Sequence, residues 1–139
     1  MVFSVGDQFK EAIVPEDITI TSCKFLNCVS PLSTFAYGTS GPSSTPVGLI
    51  KNVTLTNNFF AMGSGKAISL SSLANSKATN NLVLWPTFTG DSLTLFRDDG
   101  LEISDNTACY PSPTSVSDFL VETKESSNIS LARNQVKGV

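Results

Sequence analysis

The densest group of reactive side chains in the sequence is the segment FRDDGLE, residues 96–102. Asp98 and Asp99 are the candidate catalytic residues, because two carboxyl groups can act as acid and base around a glycosidic bond. Arg97, beside them, is a candidate substrate-binding residue. The alternative is a solvated turn approaching Gly100, in which neither carboxylate does chemistry.

Histidine is absent from the chain. This absence excludes histidine-dependent triads, histidine metal sites and imidazole acid–base chemistry, so catalysis would rest on carboxylates. The three cysteines, Cys23, Cys28 and Cys109, allow one disulfide at most, and their spacing does not form a Cys-x-x-Cys metal clamp. We therefore expect buried free thiols and no metal site of the zinc type.

Aromatic residues offer a second route to a ligand, because ring faces stack on pyranose rings. Trp85 and Tyr110 are the candidate substrate-binding aromatics, and Phe35, Tyr37 and Phe88 lie in or beside similar Gly- and Pro-rich segments. The alternative is that these rings pack down onto the core.

Composition predicts one domain over residues 1–139. Nine Lys and Arg against twelve Asp and Glu provide no basic stripe for a phosphate backbone, so nucleic acid is not an expected partner. No apolar run approaches the roughly 20 residues of a membrane helix, so no membrane partner is expected either. The few charged residues and many Ser, Thr and Asn favour strands and turns.

A short polar–apolar phrase recurs five times, which suggests a repeat architecture. Apolar residues alternate with polar ones in the phrases, as in strands with one buried face, and the apolar series resumes two residues after each phrase. The copies are ITITSC (18–23), VTLTNN (53–58), SKATNN (76–81), LEISDN (101–106) and ISLARN (129–134), followed by Phe25, Phe60, Val83, Ala108 and Val136.

A second aligned position precedes the end of each phrase by six residues. It holds only residues that tolerate a left-handed backbone, which predicts one such turn residue per repeat. These residues are Asp17, Asn52, Asn75, Gly100 and Asn128. Asn52 and Asn128 also begin glycosylation sequons, although the turn explains their identity first.

The phrase ends are separated by 35, 23, 25 and 28 residues, and the extra length falls in segments rich in Gly, Pro and Ser. A fixed unit with variable loops is typical of a solenoid. The phrases NVTLTNNFF, GLEISDNTA and SNISLARNQV resemble coils of the right-handed parallel β-helix, or pectin-lyase-like, superfamily over residues 17–139. The resemblance implies an all-β, right-handed parallel β-helix of about five coils with an asparagine ladder, namely Asn58, Asn81, Asn106 and Asn134, which Cys23 interrupts in the first coil.

The same resemblance implies a carbohydrate-active protein that acts on a polysaccharide or glycan outside the cell or at its surface. Asp98 and Asp99 resemble the Asp-Asp element of the polygalacturonase-like and α-galactosidase-like hydrolases. Ca²⁺ bound near Asp91 and Asp118, as in calcium-dependent lyases of this fold, is the one cofactor considered; otherwise none is expected. Glu102 is expected to form an ion pair with Lys77 in the adjacent coil rather than to be catalytic.

The ends of such a stack expose unpaired strand edges. A cap helix over DQFKEAIV, with Asp7 as N-cap, or an edge strand made by FSVG or KEAIV could cover the first coil. Further coils or another subunit could cover the last coil, so the chain is expected to be a fragment of a longer β-helix or a subunit. Two function classes remain open: a glycoside hydrolase or polysaccharide lyase, and a non-catalytic β-helix for glycan binding, adhesion or structural support.

Overall fold

A computed structural model describes residues 3–7, 14–36, 46–86, 92–111 and 120–138. Strands are the only regular elements within these residues. They are β1 (Phe3–Asp7), β2 (Thr19–Thr21), β3 (Lys24–Val29), β4 (Leu32–Ala36), β5 (Ile50–Lys51), β6 (Thr54–Thr56), β7 (Phe59–Ser64), β8 (Ile68–Ser71), β9 (Leu73–Thr79), β10 (Leu82–Leu84), β11 (Leu93–Phe96), β12 (Asp99–Ser104), β13 (Thr107–Tyr110), β14 (Leu120–Lys124), β15 (Ser130–Ala132) and β16 (Gln135–Gly138).

The strands form three sheets, and all strand pairs in them are parallel. Sheet A has the order β1-β4-β8-β11-β14, sheet B has β2-β6-β9-β12-β15 with β5 beside β9, and sheet C has β3-β7-β10-β13-β16. The chain therefore passes through sheets A, B and C in turn and returns to sheet A. An all-β fold with parallel sheets is confirmed.

The repeat alignment predicted the strand register correctly in sheets B and C. In sheet B the inward positions pair in the order Ile20, Leu55, Ala78, Ile103 and Leu131. In sheet C the corresponding series is Phe25, Phe60, Val83, Ala108 and Val136, and the first two rings stack with centroids 4.8 Å apart. Apolar residues at every second position thus form a continuous core along the stack.

The backbone of the predicted turn residues is left-handed, as expected. The φ angles are 57° for Asp17, 56° for Asn52, 48° for Asn75, 71° for Gly100 and 53° for Asn128. Gly, Asn and Asp bear this conformation at the smallest steric cost.

A second left-handed position precedes the end of every phrase and was not predicted. It holds Ser22, Asn57, Asn80, Asp105 and Arg133, with φ between 53° and 59°. These residue types are too varied for the position to be recognised from the sequence. A third left-handed position lies at the bend from sheet A to sheet B in the later repeats, at Gly48, Ser72, Arg97 and Glu125, so each of these repeats has three left-handed residues around sheet B.

Four asparagines at the bend between sheets B and C are linked in one row. The side-chain amide of Asn58 donates to Oδ1 of Asn81 over 3.0 Å, Asn81 donates to Asn106 over 3.0 Å, and Asn106 donates to Asn134 over 2.9 Å. The backbone N–H groups of the first three donate to the same oxygens. Each Nδ2 also donates to a carbonyl of the preceding repeat.

The strand FSVG is present as part of β1, which ends at Asp7, whereas the rest of the cap helix expected over DQFKEAIV lies largely on residues 8–13, outside the described part of the chain. Two other expectations differ from the structure. Cys23 is exposed rather than buried, and all three thiols are free. Lys77 and Glu102 are register partners as predicted, but the ion pairs among the described residues are Arg97–Glu125 and Arg133–Asp105.

Candidate functional site

Asp98 lies inside the turn that joins sheet A to sheet B, and none of its surface is exposed. Its Oδ1 accepts the backbone N–H of Leu73 over 2.7 Å, and its Oδ2 accepts the N–H of Phe96 over 3.0 Å. Burial raises the pKa of Asp98 to about 7, although the two N–H groups act in the opposite direction. The predicted solvated turn is therefore wrong for this residue: the carboxyl group is an internal hydrogen-bond acceptor.

Asp99 has the opposite environment, although it is the next residue. It is partly exposed, and its Oδ1 accepts hydrogen bonds from Nδ2 of Asn128 over 2.7 Å and from Oγ of Ser127 over 2.8 Å. These two donors lower the pKa of the Asp99 carboxyl group. One carboxyl group of the predicted catalytic pair is thus enclosed, while the other is bonded to side chains at the surface.

Trp85 and Tyr110 are fully buried and stack on each other, with ring centroids 6.3 Å apart. Their polar atoms share one partner: Oγ of Ser92 accepts the Trp85 indole N–H over 3.0 Å and lies 2.8 Å from the Tyr110 hydroxyl oxygen. Neither ring face is open to a ligand in this structure. The two rings pack in the interior, as the alternative to ligand binding predicted for these aromatic residues.

Arg97 is held at the surface of the same turn. Its backbone is left-handed, with φ of 55°, and its Nε donates to Oε2 of Glu125 over 2.7 Å. The guanidinium carbon also lies 5.2 Å from the centroid of the Phe96 ring. Arg97 therefore lies beside the outer face of sheet A, with its side chain oriented by two neighbours.

That outer face carries a groove of about 490 Å³, which is within the usual size range of ligand sites. Outward-facing residues of four adjacent strands form much of it. They are Ser33 and Phe35 of β4, Ser69 and Ser71 of β8, Thr94 and Phe96 of β11, and Lys124 of β14, together with Lys66 from the connection before β8.

Two aromatic side chains line the groove from the strands on either side of β8. Phe96 of β11 pairs with Ser71. On the other side the pairing of β4 with β8 ends at Ser33 and Ser69, the backbone N–H of Ser71 donates to the Thr34 hydroxyl oxygen over 2.8 Å, and Phe35 is the next residue of β4. Two strand spacings, about 9.6 Å, separate the ring-bearing strands. The groove therefore has an aromatic side chain on each flank and a serine between them.

Hydroxyl groups form a second column on the same face. Ser33, Ser69 and Thr94 are register partners, and the Thr94 hydroxyl donates to Oγ of Ser69 over 3.1 Å. Among the described residues that line the groove none is acidic, whereas Lys66 and Lys124 are cationic. The whole chain carries a net charge of −3, so the charge of the described groove residues is opposite in sign to the net charge of the protein.

Sequence reasoning did not identify this groove. Two other segments contained its signal, because their alternate positions hold hydroxyl residues and Phe96; they are KAISLSS (66–72) and DSLTLFR (91–97). The sequence did not show which residues of the four strands β4, β8, β11 and β14 would lie next to one another on this face. Of the residues considered in the sequence, Phe35 lines the groove, Arg97 lies beside it, and Asp98 lies behind its wall.

Several predictions lie outside the described residues, namely Tyr37, Phe88, Asp91 and Asp118. Within the described ranges, no three His, Cys, Asp or Glu side chains lie close enough together to hold a metal ion. No helix in those ranges is long and apolar enough to cross a membrane.

Comparison with protein-family models, with curated proteins and with solved structures returns no match for this chain. The residues and their geometry therefore carry the functional argument alone.

Proposed function

We propose that the chain forms five coils of a right-handed parallel β-helix of the pectin-lyase-like type, with Asn58, Asn81, Asn106 and Asn134 as its asparagine ladder. The repeated passage through sheets A, B and C supports this proposal, and parallel crossovers are almost always right-handed. Hydrogen bonds between the asparagines of successive repeats support the ladder.

The function that we propose is the binding of a polysaccharide or glycan along the groove on sheet A. The observation that carries this proposal is the combination of flanking aromatic rings, Phe35 and Phe96, with a column of hydroxyl groups on a rigid parallel sheet. Aromatic faces suit the apolar faces of sugar rings, and hydroxyl groups suit their edges. Lys66 and Lys124 favour a glycan that carries carboxylate or sulfate groups.

A glycoside hydrolase or polysaccharide lyase is the second candidate. A hydrolase of the usual type needs two carboxyl groups on either side of one glycosidic bond, roughly 5–10 Å apart. Asp98 is enclosed and Asp99 is bonded to Ser127 and Asn128, so this pair does not support a catalytic mechanism. The geometry favours the non-catalytic β-helix.

The binding of alginate, hyaluronate, heparin and neutral dextran, measured by affinity electrophoresis, tests the proposal. We expect an acidic polysaccharide to bind, and we expect Phe96→Ala and Lys124→Glu each to weaken binding at least about fivefold. Lys77→Glu is the matched control, because Lys77 is an exposed lysine at an outward position of sheet B. Equal losses for the two lysine variants, or no binding of any polymer, would refute the groove proposal.

The same samples can be assayed for new reducing ends and unsaturated sugars. Cleavage by wild type that persists in an Asp98→Asn/Asp99→Asn variant would favour an enzyme that uses other carboxylates. Cleavage lost in that variant, with folding intact, would favour the hydrolase or lyase over the non-catalytic protein.

A location outside the cell or at its surface accompanies this proposal, because polymeric glycans are displayed there. We also propose that further coils or another subunit cover the last repeat. Leu131, at the sheet B position where Ile103 and Leu55 are enclosed, is 49% exposed. An apolar core position left open at a sheet edge favours a covering partner.

A further inference from the structure

Asp98 lies directly behind the wall of the groove. Its carboxyl group accepts the N–H of Phe96, whose ring flanks the groove on the outside. The same carboxyl group accepts the N–H of Leu73 in the preceding repeat, and the Asp98 N–H donates to Oγ of Ser126 in the following repeat over 3.1 Å. One enclosed side chain and its backbone therefore join three successive repeats at this point.

The residue type matters because two N–H groups must be satisfied from one position. The position of Asp98 is occupied by Leu73 in the preceding repeat and by Ser126 in the following repeat. A leucine offers no acceptor, and a serine offers a single oxygen atom, whereas a carboxyl group offers two. Of these three residues, Asp98 is thus the one with a separate oxygen atom for each of the two N–H groups, those of Leu73 and Phe96.

Other contacts hold the carbonyl side of Phe96, which is the last residue of strand β11. The Phe96 C=O accepts the N–H of Ser72 over 3.0 Å, and the N–H of Arg97 donates to the C=O of Lys124 over 3.0 Å. The ion pair between Arg97 and Glu125 is partly exposed, and such pairs contribute little. Asp98 is therefore the enclosed side chain that holds the N–H of Phe96, while neighbouring strands hold its carbonyl side.

We propose that Asp98 is the positioning residue of the sheet A groove: from inside the stack it fixes the backbone that presents the Phe96 ring to a glycan. The glycan part of this inference rests on the proposed function. The structural part, anchoring of Phe96 by Asp98, does not.

Two readouts on the intact chain test the proposal: the exchange rate of the Phe96 amide by NMR, and the affinity for alginate and heparin. We expect Asp98→Ala to speed Phe96 exchange at least about tenfold relative to Val83, a core residue of sheet C, and to weaken polysaccharide binding at least about fivefold. Asp98→Asn keeps one acceptor oxygen, so its effects should be intermediate, as partial rescue.

Ser126→Ala is the matched control. It removes a partner from the same turn but leaves both hydrogen bonds of the Asp98 carboxyl group in place, so both readouts should stay within about twofold of wild type. Unchanged Phe96 exchange in Asp98→Ala, or an equal acceleration in Ser126→Ala, would overturn the positioning role. If wild type binds neither polymer, the glycan function fails, while the exchange of Phe96 still decides whether Asp98 anchors it.

Discussion

Two turns of the stack satisfy their backbone donors with different side chains. At the bend from sheet B to sheet C, the N–H groups of Asn58, Asn81 and Asn106 each donate to an amide oxygen of the next asparagine. At the bend from sheet A to sheet B, the N–H of Leu73 donates to Asp98 and the N–H of Asp98 donates to Ser126.

The difference follows from the chemistry of the acceptors. An amide both accepts and donates, so each asparagine can satisfy the repeat before it and be satisfied by the repeat after it. A carboxylate only accepts and carries charge, so it suits a position where two N–H groups converge but cannot be repeated along a buried row. The asparagine bend is therefore periodic and neutral, whereas the Asp98 bend is unique and titratable.

The largest expected effect comes from breaking the periodic bend. Asn81→Leu removes the acceptor for the backbone and side-chain donors of Asn58 and should lower the free energy of unfolding by about 4 kcal/mol, since two buried donors lose their partner. Urea denaturation measures this. Asn134→Leu, at the half-buried end of the row, is the control and should cost less because its site is less enclosed. Unchanged stability in Asn81→Leu would contradict the row, and equal losses would mean that burial does not set the cost.

A smaller loss is expected from breaking the unique bend. Asp98→Ala leaves the N–H groups of Leu73 and Phe96 without their acceptor and should cost about 3 kcal/mol at pH 5. Urea denaturation at that pH measures the loss while the wild-type carboxyl group is protonated. A variant as stable as wild type at pH 5 would mean that solvent replaces the carboxyl oxygens.

The titratable bend should also make stability depend on pH. Because the pKa of Asp98 is raised to about 7 in the fold, the folded state binds more protons than the unfolded state between about pH 4 and pH 7, and stability falls as pH rises through this window. Asp99 and Asp105, whose pKa values are lowered, act in the opposite direction at lower pH.

The difference in unfolding free energy between wild type and Asp98→Asn isolates the contribution of this group. When the pH is raised from 5 to 8, wild type should lose on the order of 2 kcal/mol of unfolding free energy relative to Asp98→Asn. The absence of histidine keeps other side-chain titrations out of most of this range. A pH-independent difference would mean that Asp98 is ionised throughout.

The smallest effect concerns the left-handed residues next to these bends. Asn75→Val, at a φ of 48°, should cost roughly 1–2 kcal/mol because a β-branched residue resists this conformation. Asn75→Gly is the control and should be nearly neutral, as Gly100 at the equivalent position indicates. Thermal unfolding of both variants tests whether backbone strain, rather than the lost amide, accounts for the difference.

The periodic parts of the fold could be predicted from the sequence, and the unique parts could not. The inward series in sheets B and C, the left-handed column and the positions of the row asparagines follow from alignment of the repeats. Asp98 and Asp99 have no such alignment. Which of the two enters the turn depends on Leu73, which lies 25 residues earlier, and on Ser127, which lies 28 residues after Asp99.

The aromatic residues show the same limit. Trp85 and Tyr110 lie next to variable segments, which suggested exposed rings, but both pack against Ser92 in the interior. Phe96, in an ordinary strand, faces outward beside the groove. Exposure of a ring depends on what the adjacent strands and connections place over it, and local sequence does not specify that.

The sequence by itself determined the repeat, its strand alternation and the residues at its bends, because these features depend on local geometry that recurs along the chain. Tertiary structure alone decided which carboxyl group is enclosed, which rings are covered and where hydroxyl groups, aromatic rings and lysines meet in one groove. The physical reason is that side chains 23 or more residues apart become neighbours only when successive strands pair, at a spacing of about 4.8 Å.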